Sequence, residues 1–127
     1  MENKTPSEFF QIKEVKLIID ILSVNNESSM FVGGVVRDII KYKKNKQYEI
    51  DIATTIIPEN VINLLNNNNI KPIVVGLKFG TVSAVINDYK FEITTLRSEI
   101  EFKGRHPRVI FTKDWNLDAQ RRDFTIN

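Results

Sequence analysis

Apolar and polar positions follow two different periods along this chain. Residues 9 to 22, FFQIKEVKLIIDIL, bring apolar side chains back about every 3.6 positions, with Thr5, Pro6 and Ser7 ahead of them and Glu8 in the first turn. That spacing predicts one amphipathic helix. Asn25 to Ser29 is polar turn material, and Met30-Phe31-Val32 predicts a short buried strand that runs into Gly33-Gly34 and the helical pattern VVRDIIKY. Lys41 to Lys46 reads as a basic loop, Tyr48 to Ala53 alternates as a strand does, and Pro58 opens a further helix through about Asn67.

Three β-rich runs follow, at Ile70 to Val75, Gly80 to Ile86 and Tyr89 to Thr95, and Asn87-Asp88 between the last two is a two-residue hairpin signal. From Ser98 to Asp114 the pattern fades into charged, proline-containing sequence, which predicts a long loop, mobile or functional. Asn116 to Asn127 reads as helix. The elements together predict an α+β fold, a small mixed β-sheet of about five strands flanked by helices. Residues 1–29 form an N-terminal helix and turn, residues 30–127 carry the sheet, and no repeat or linker divides this single domain.

Composition adds constraints. A chain of 127 residues with 42% hydrophobic and 27% charged residues has material for one core. Eighteen basic against sixteen acidic residues leave a net charge of +2, so charge by itself does not announce a nucleic-acid partner. The absence of cysteine excludes disulfides, thiolate metal sites and cysteine nucleophiles, and leaves oxygen ligands or His106 for any metal. No apolar stretch is long enough to span a bilayer and nothing near the start has the order of a secretory signal, so a cytoplasmic protein without membrane contact is expected.

The candidate chemistry sits at a few positions. Glu49 and Asp51, two apart on a strand, project from one face while Ile50 and Ile52 go to the other. Two carboxylates so placed suit Mg²⁺, which takes one or two protein carboxylates together with substrate phosphates; the same pattern also describes an ordinary exposed strand face. Gly33 and Gly34, between strand and helix, let backbone approach a ligand at a helix N-terminus, an arrangement suited to a triphosphate, although tight turns use glycine for conformation alone. Arg37, one turn later, adds a phosphate-matching fork, and Asp38 is either its partner or a surface charge.

Glu92 shares a strand face with Thr94. It is a third carboxylate if its strand lies beside that of Asp51, or else a hairpin charge paired with a lysine. In RRDFTIN, Arg121 and Arg122 precede Asp123 and Asn127, which are four apart and share a helix face. Five of the six arginines lie between Arg97 and Arg122 in a chain with twice as many lysines, a choice that suits bidentate phosphate contacts or a solvated loop face. His106 reads as a loop residue, and Phe111 and Trp115 as anchors of a small cluster.

The order of these segments is more specific than any one of them: FVGGVVRD, YEIDIAT followed by Pro58-Glu59, GLKFGTV, FEITTLR, GRHP and RRDFTIN. From about residue 30 to residue 127 the sequence resembles the head domain of class II tRNA nucleotidyltransferases (CCA-adding enzymes) and bacterial poly(A) polymerases, in the DNA polymerase beta superfamily. The resemblance implies a nucleotidyltransferase that adds nucleotides from ATP or CTP to RNA 3′ ends, at the tRNA CCA terminus or as poly(A). It implies two Mg²⁺ ions on Glu49 and Asp51, the catalytic carboxylates, with Glu92 as a further candidate. It implies nucleotide contacts from Gly33, Gly34 and Arg37, with Asp38 beside it, from Arg97, and from the pocket motif of Arg121, Arg122, Asp123 and Asn127.

Two departures accompany the resemblance. The first acidic position is Glu49 where the family pattern has aspartate, which keeps the charge and extends the reach by one methylene; a placement error of about 1 Å costs ~10²-fold unless a rotamer change absorbs it. The family also continues past RRDFTIN into neck, body and tail, which do not follow here. The expectations are therefore no autonomous base selection, weak RNA affinity, and an apolar surface at Phe124 and Ile126 that takes a separate neck/body polypeptide or a second copy. The competing readings are a non-catalytic remnant that binds nucleotide or RNA, and nucleotidyl transfer to a small molecule, which the pairing of GGVVRD with RRDFTIN disfavours.

Overall fold

The N-terminal apolar run folds as two helices, α1 (Pro6–Gln11) and α2 (Lys13–Leu22), in place of the single predicted one. In the computed structural model, which describes residues 6–32, 48–104 and 106–116, with side chains for residues 8–32, 48–98, 104 and 109–116, Ile12 is extended at φ −62° and ψ 128° and interrupts the helix. Phe9 and Val15 are both fully buried. Six residues apart, they would point about 120° away from each other around a continuous helix, and the break lets both face the core.

A four-stranded sheet follows, formed by β1 (Ser29–Phe31), β2 (Tyr48–Thr54), β3 (Thr81–Ile86) and β4 (Tyr89–Thr95), in the order β1-β2-β4-β3. β1 is antiparallel to β2, β2 is parallel to β4, and β4 is antiparallel to β3. A parallel pair needs a crossover, and α3 (Pro58–Asn67) supplies one between β2 and the β3–β4 hairpin, with Pro58 in its first turn. Ile50, Ile52, Val82, Ala84, Phe91 and Ile93 face Val15, Ile18, Ile21 and Leu22 of α2 and Val61 and Leu65 of α3 in one core. Among the described residues the helices cover one sheet face, so the alternate strand positions form a second, more polar face.

Several expectations are corrected. The strand predicted as buried is a three-residue edge, and Met30 is 55% exposed because nothing described pairs with its outer side. Ile70 to Val75 forms no strand: it makes one bridge, Ile73 to Ser83, before a 3₁₀ turn at Leu77–Phe79. Pro72 and Gly76 punctuate the run, and Val75 is left 89% exposed.

The predicted loop from Ser98 to Asp114 is largely an antiparallel ribbon of β5 (Arg97–Lys103) and β6 (His106–Phe111), with Gly104 at φ 64° in its turn. His106 therefore begins a strand. Ile100 and Phe102 do alternate with Glu99, Glu101 and Lys103 in the sequence, but the charges and Pro107 obscure that period. The molecule thus has six described strands in two sheets, where about five in one were expected. Trp115 and Asn116 begin a helical turn, while VVRDIIKY, the basic loop and residues 117–127 lie outside the described residues.

Candidate functional site

The polar face of the sheet is built by strand alternation. On β2, Glu49 and Asp51 are exposed while Ile50 and Ile52 are buried, as the period of two requires. The parallel register with β4 sets Glu49 beside Lys90 and Asp51 beside Glu92, and β3 continues these rows with Val85 and Ser83. Neighbouring strands are about 4.8 Å apart, so the three carboxylates occupy adjoining places on one face. Glu92 stands next to Asp51 in the strand register, and its Oε2 lies 3.5 Å from Lys90 Nζ on its own strand.

Among the described residues, no group of three or more histidine, aspartate or glutamate side chains is gathered closely enough to hold a metal ion. The three carboxylates are adjacent without converging. Glu49 and Asp51 nevertheless fit a hard divalent cation by chemistry, because they are oxygen donors on an exposed surface where phosphate oxygens and water can complete a coordination shell.

Past Asp51, the ends of β2 and β4 carry buried hydroxyls that sequence reasoning missed. Thr54, Thr55 and Thr95 are each 4% exposed or less. The Thr54 hydroxyl accepts from Ser29 Oγ at 2.7 Å and from the Ile56 amide at 3.1 Å, and Thr95 Oγ1 donates to the Ile56 carbonyl at 2.6 Å. Thr55 Oγ1 accepts from the Ser28 amide at 2.8 Å and donates to Glu27 Oε1 at 2.7 Å. Lys113 Nζ lies 3.2 Å from the same Glu27 oxygen, and Trp115 Nε1 donates to Ser28 Oγ at 3.0 Å. The turn before β1, the end of β2 and the segment after β6 are thereby fastened to one another. The threonine pairs in YEIDIATT and FEITT were the available signal.

Arg97 begins the ribbon, and its Nη1 donates to the Phe79 carbonyl at 2.9 Å, which joins β5 to the 3₁₀ turn. Phe111 rests on Gly80, and the Trp115 indole is held by Ser28 Oγ. Gly33, Gly34, Arg37, Asp38, Arg121, Arg122, Asp123 and Asn127 lie outside the described residues, as do Phe124 and Ile126. No described helix is long and apolar enough to cross a membrane.

A family model described as the poly A polymerase head domain matches residues 29–127. The chain belongs to the poly(A) polymerase head-domain family. The match begins at the first residue of β1, so α1 and α2 precede it although they share its core. Human mitochondrial CCA tRNA nucleotidyltransferase 1 is 39% identical over 114 residues, which cover 89% of this chain and 26% of that protein. A CCA-adding enzyme of Bacillus cereus is 38% identical over 119 residues, 92% of this chain and 28% of the relative.

Among solved structures, the Bacillus stearothermophilus CCA-adding enzyme in complex with CTP aligns with a TM-score of 0.63 at 34% identity, covering 96% of this chain and 27% of that one. A tRNA nucleotidyltransferase complexed with a primer tRNA and an incoming ATP analogue aligns at 0.51 and 25% identity, over 88% and 28% of the two chains. The chain spans about a quarter of the length of these relatives.

Proposed function

We propose that this head domain carries out Mg²⁺-dependent transfer of nucleotides from ATP or CTP to RNA 3′ ends, in tRNA CCA completion or polyadenylation. The observation that carries the reading is the exposed placement of Glu49 and Asp51 on an interior strand of the sheet in a chain of this family. The reaction joins the RNA 3′-hydroxyl oxygen to the α-phosphorus and releases pyrophosphate. Glu49 and Asp51 would hold Mg²⁺, which when bound lowers the pKa of the attacking hydroxyl and neutralises charge on the triphosphate.

The chain's own contribution is placement. The Asp51 carbonyl accepts from the Val32 amide at 3.0 Å, and on its other side β2 is zipped to β4 along its length, so the carboxylate projects from backbone that is held on both edges. By the family pattern, Gly33, Gly34, Arg37, Asp38, Arg97, Arg121, Arg122, Asp123 and Asn127 receive the nucleotide. By the same pattern, base choice and the grip on RNA belong to neck and body polypeptide. The named CTP, ATP analogue and primer tRNA complexes of the relatives support these substrate classes.

The test is incubation of the chain with 3′-truncated tRNA, labelled ATP or CTP and Mg²⁺, with and without a neck/body polypeptide. Incorporation that disappears in Asp51→Ala supports the reading. No incorporation under either condition overturns it.

A further inference from the structure

We propose that Lys90 is a positioning residue that draws the Glu92 carboxylate away from Asp51 and thereby weakens the uptake of a divalent cation by this face. The inference rests on the reading that Glu49 and Asp51 hold the cation. Lys90 and Glu92 are two apart on β4 and so share its polar face. Their side chains are in contact, Nζ to Oε2 at 3.5 Å, and are 30% and 37% exposed. Across the parallel register Lys90 stands beside Glu49 and Glu92 beside Asp51.

The four residues therefore form a square of three negative charges and one positive. Glu92 is the carboxylate best placed to join Asp51 around an ion, and the ammonium occupies it. Among the described residues the three carboxylates do not form a gathered set of acidic ligands. A cation arriving at Asp51 recruits Glu92 only by displacing Lys90, and it meets the ammonium's repulsion from the position next to Glu49. Both partners are solvated, so the exchange is a modest barrier that can be reversed and not a block.

Removing the ammonium then tightens cation binding, provided that Glu92 is present. The measurement is titration of the 127-residue chain with Mn²⁺ alone near neutral pH, with free Mn²⁺ read by electron paramagnetic resonance. Lys90→Met should bind about two- to five-fold more tightly, the range available to a solvated ion pair. Lys90→Arg should stay close to the native chain, and Lys90→Met with Glu92→Gln should lose the gain. Circular dichroism verifies that each variant is folded. Unchanged or weaker binding in folded Lys90→Met, while Asp51→Ala abolishes binding, overturns the role of Lys90. Binding that is indifferent to Asp51→Ala overturns the metal reading itself and this inference with it.

Discussion

The ring of Phe111 occupies the space that a side chain on Gly80 would need. A β-carbon built on Gly80 lies 2.6 Å from Cε1 and 3.2 Å from Cζ of that ring, and Gly80 adopts φ 86°, where a side chain is strained in any case. The contact joins the end of the β5–β6 ribbon to the turn that enters β3, and the Thr95 amide donates to the Gly80 carbonyl at 3.0 Å in the same place.

Gly80→Ala is therefore expected to destabilise the fold by about 2 kcal/mol, from left-handed backbone strain together with displacement of the ring. Urea unfolding measures it. Gly80→Ala combined with Phe111→Leu should recover the steric part and leave the backbone part, because the smaller side chain relieves only the overlap.

The two β2 carboxylates should respond differently to substitution. Asp51→Asn is expected to lower nucleotide incorporation by at least about 100-fold, the scale on which misplaced reacting groups lose rate. Glu49→Asp should raise kcat and leave KM for the nucleotide unchanged, since it shortens the reach at one carboxylate without touching the proposed nucleotide contacts. Steady-state kinetics with tRNA and the neck/body polypeptide separates the two parameters. A fall in kcat for Glu49→Asp would show that the glutamate length is already suited to the site.

Thr55 and Glu27 fasten the segment that carries the chain's single tryptophan. Thr55→Val leaves the Ser28 amide without its hydroxyl acceptor and takes a donor from Glu27, which should cost about 1–3 kcal/mol. Glu27→Ala releases both Thr55 and Lys113. In each variant the Trp115 indole, now bonded to Ser28 Oγ, should become more accessible to acrylamide, which fluorescence quenching reads directly.

Tyr89 makes stability sensitive to alkaline pH. Burial raises its pKa above the ordinary value, and the negative charge of Glu14, neighbouring Tyr48 and Asp88 act in the same direction. Tyr48 stacks on it with ring centroids 5.2 Å apart. A folded-state pKa above the unfolded one means that the neutral phenol is favoured in the fold. Its contribution is whole below about pH 10 and is lost as pH rises through the elevated value. Unfolding measured from neutral to strongly alkaline pH should show this decline in the native chain and a shallower one in Tyr89→Phe.

Local periodicity carried much of the architecture. α3, the Asn87-Asp88 hairpin and the outward direction of Glu49 and Asp51 follow from spacing and turn chemistry, which act within a few residues and so are written in the sequence alone. The order of the motifs likewise disclosed the family. The break at Ile12, the exposure of β1 and the neighbourhood of Asp51 and Glu92 depend on which segments meet, and the residues that meet are far apart in the chain. The ribbon escaped notice because charges and Pro107 disguised its alternation. The hydroxyls of Thr54, Thr55 and Thr95 became a fastening only when the β1 turn and the segment after β6 closed over them. The sequence by itself determined which faces the strands turn toward and which family the chain joins. Tertiary structure alone decided that Glu92 stands beside Asp51, because strand register arises only when distant segments pack together.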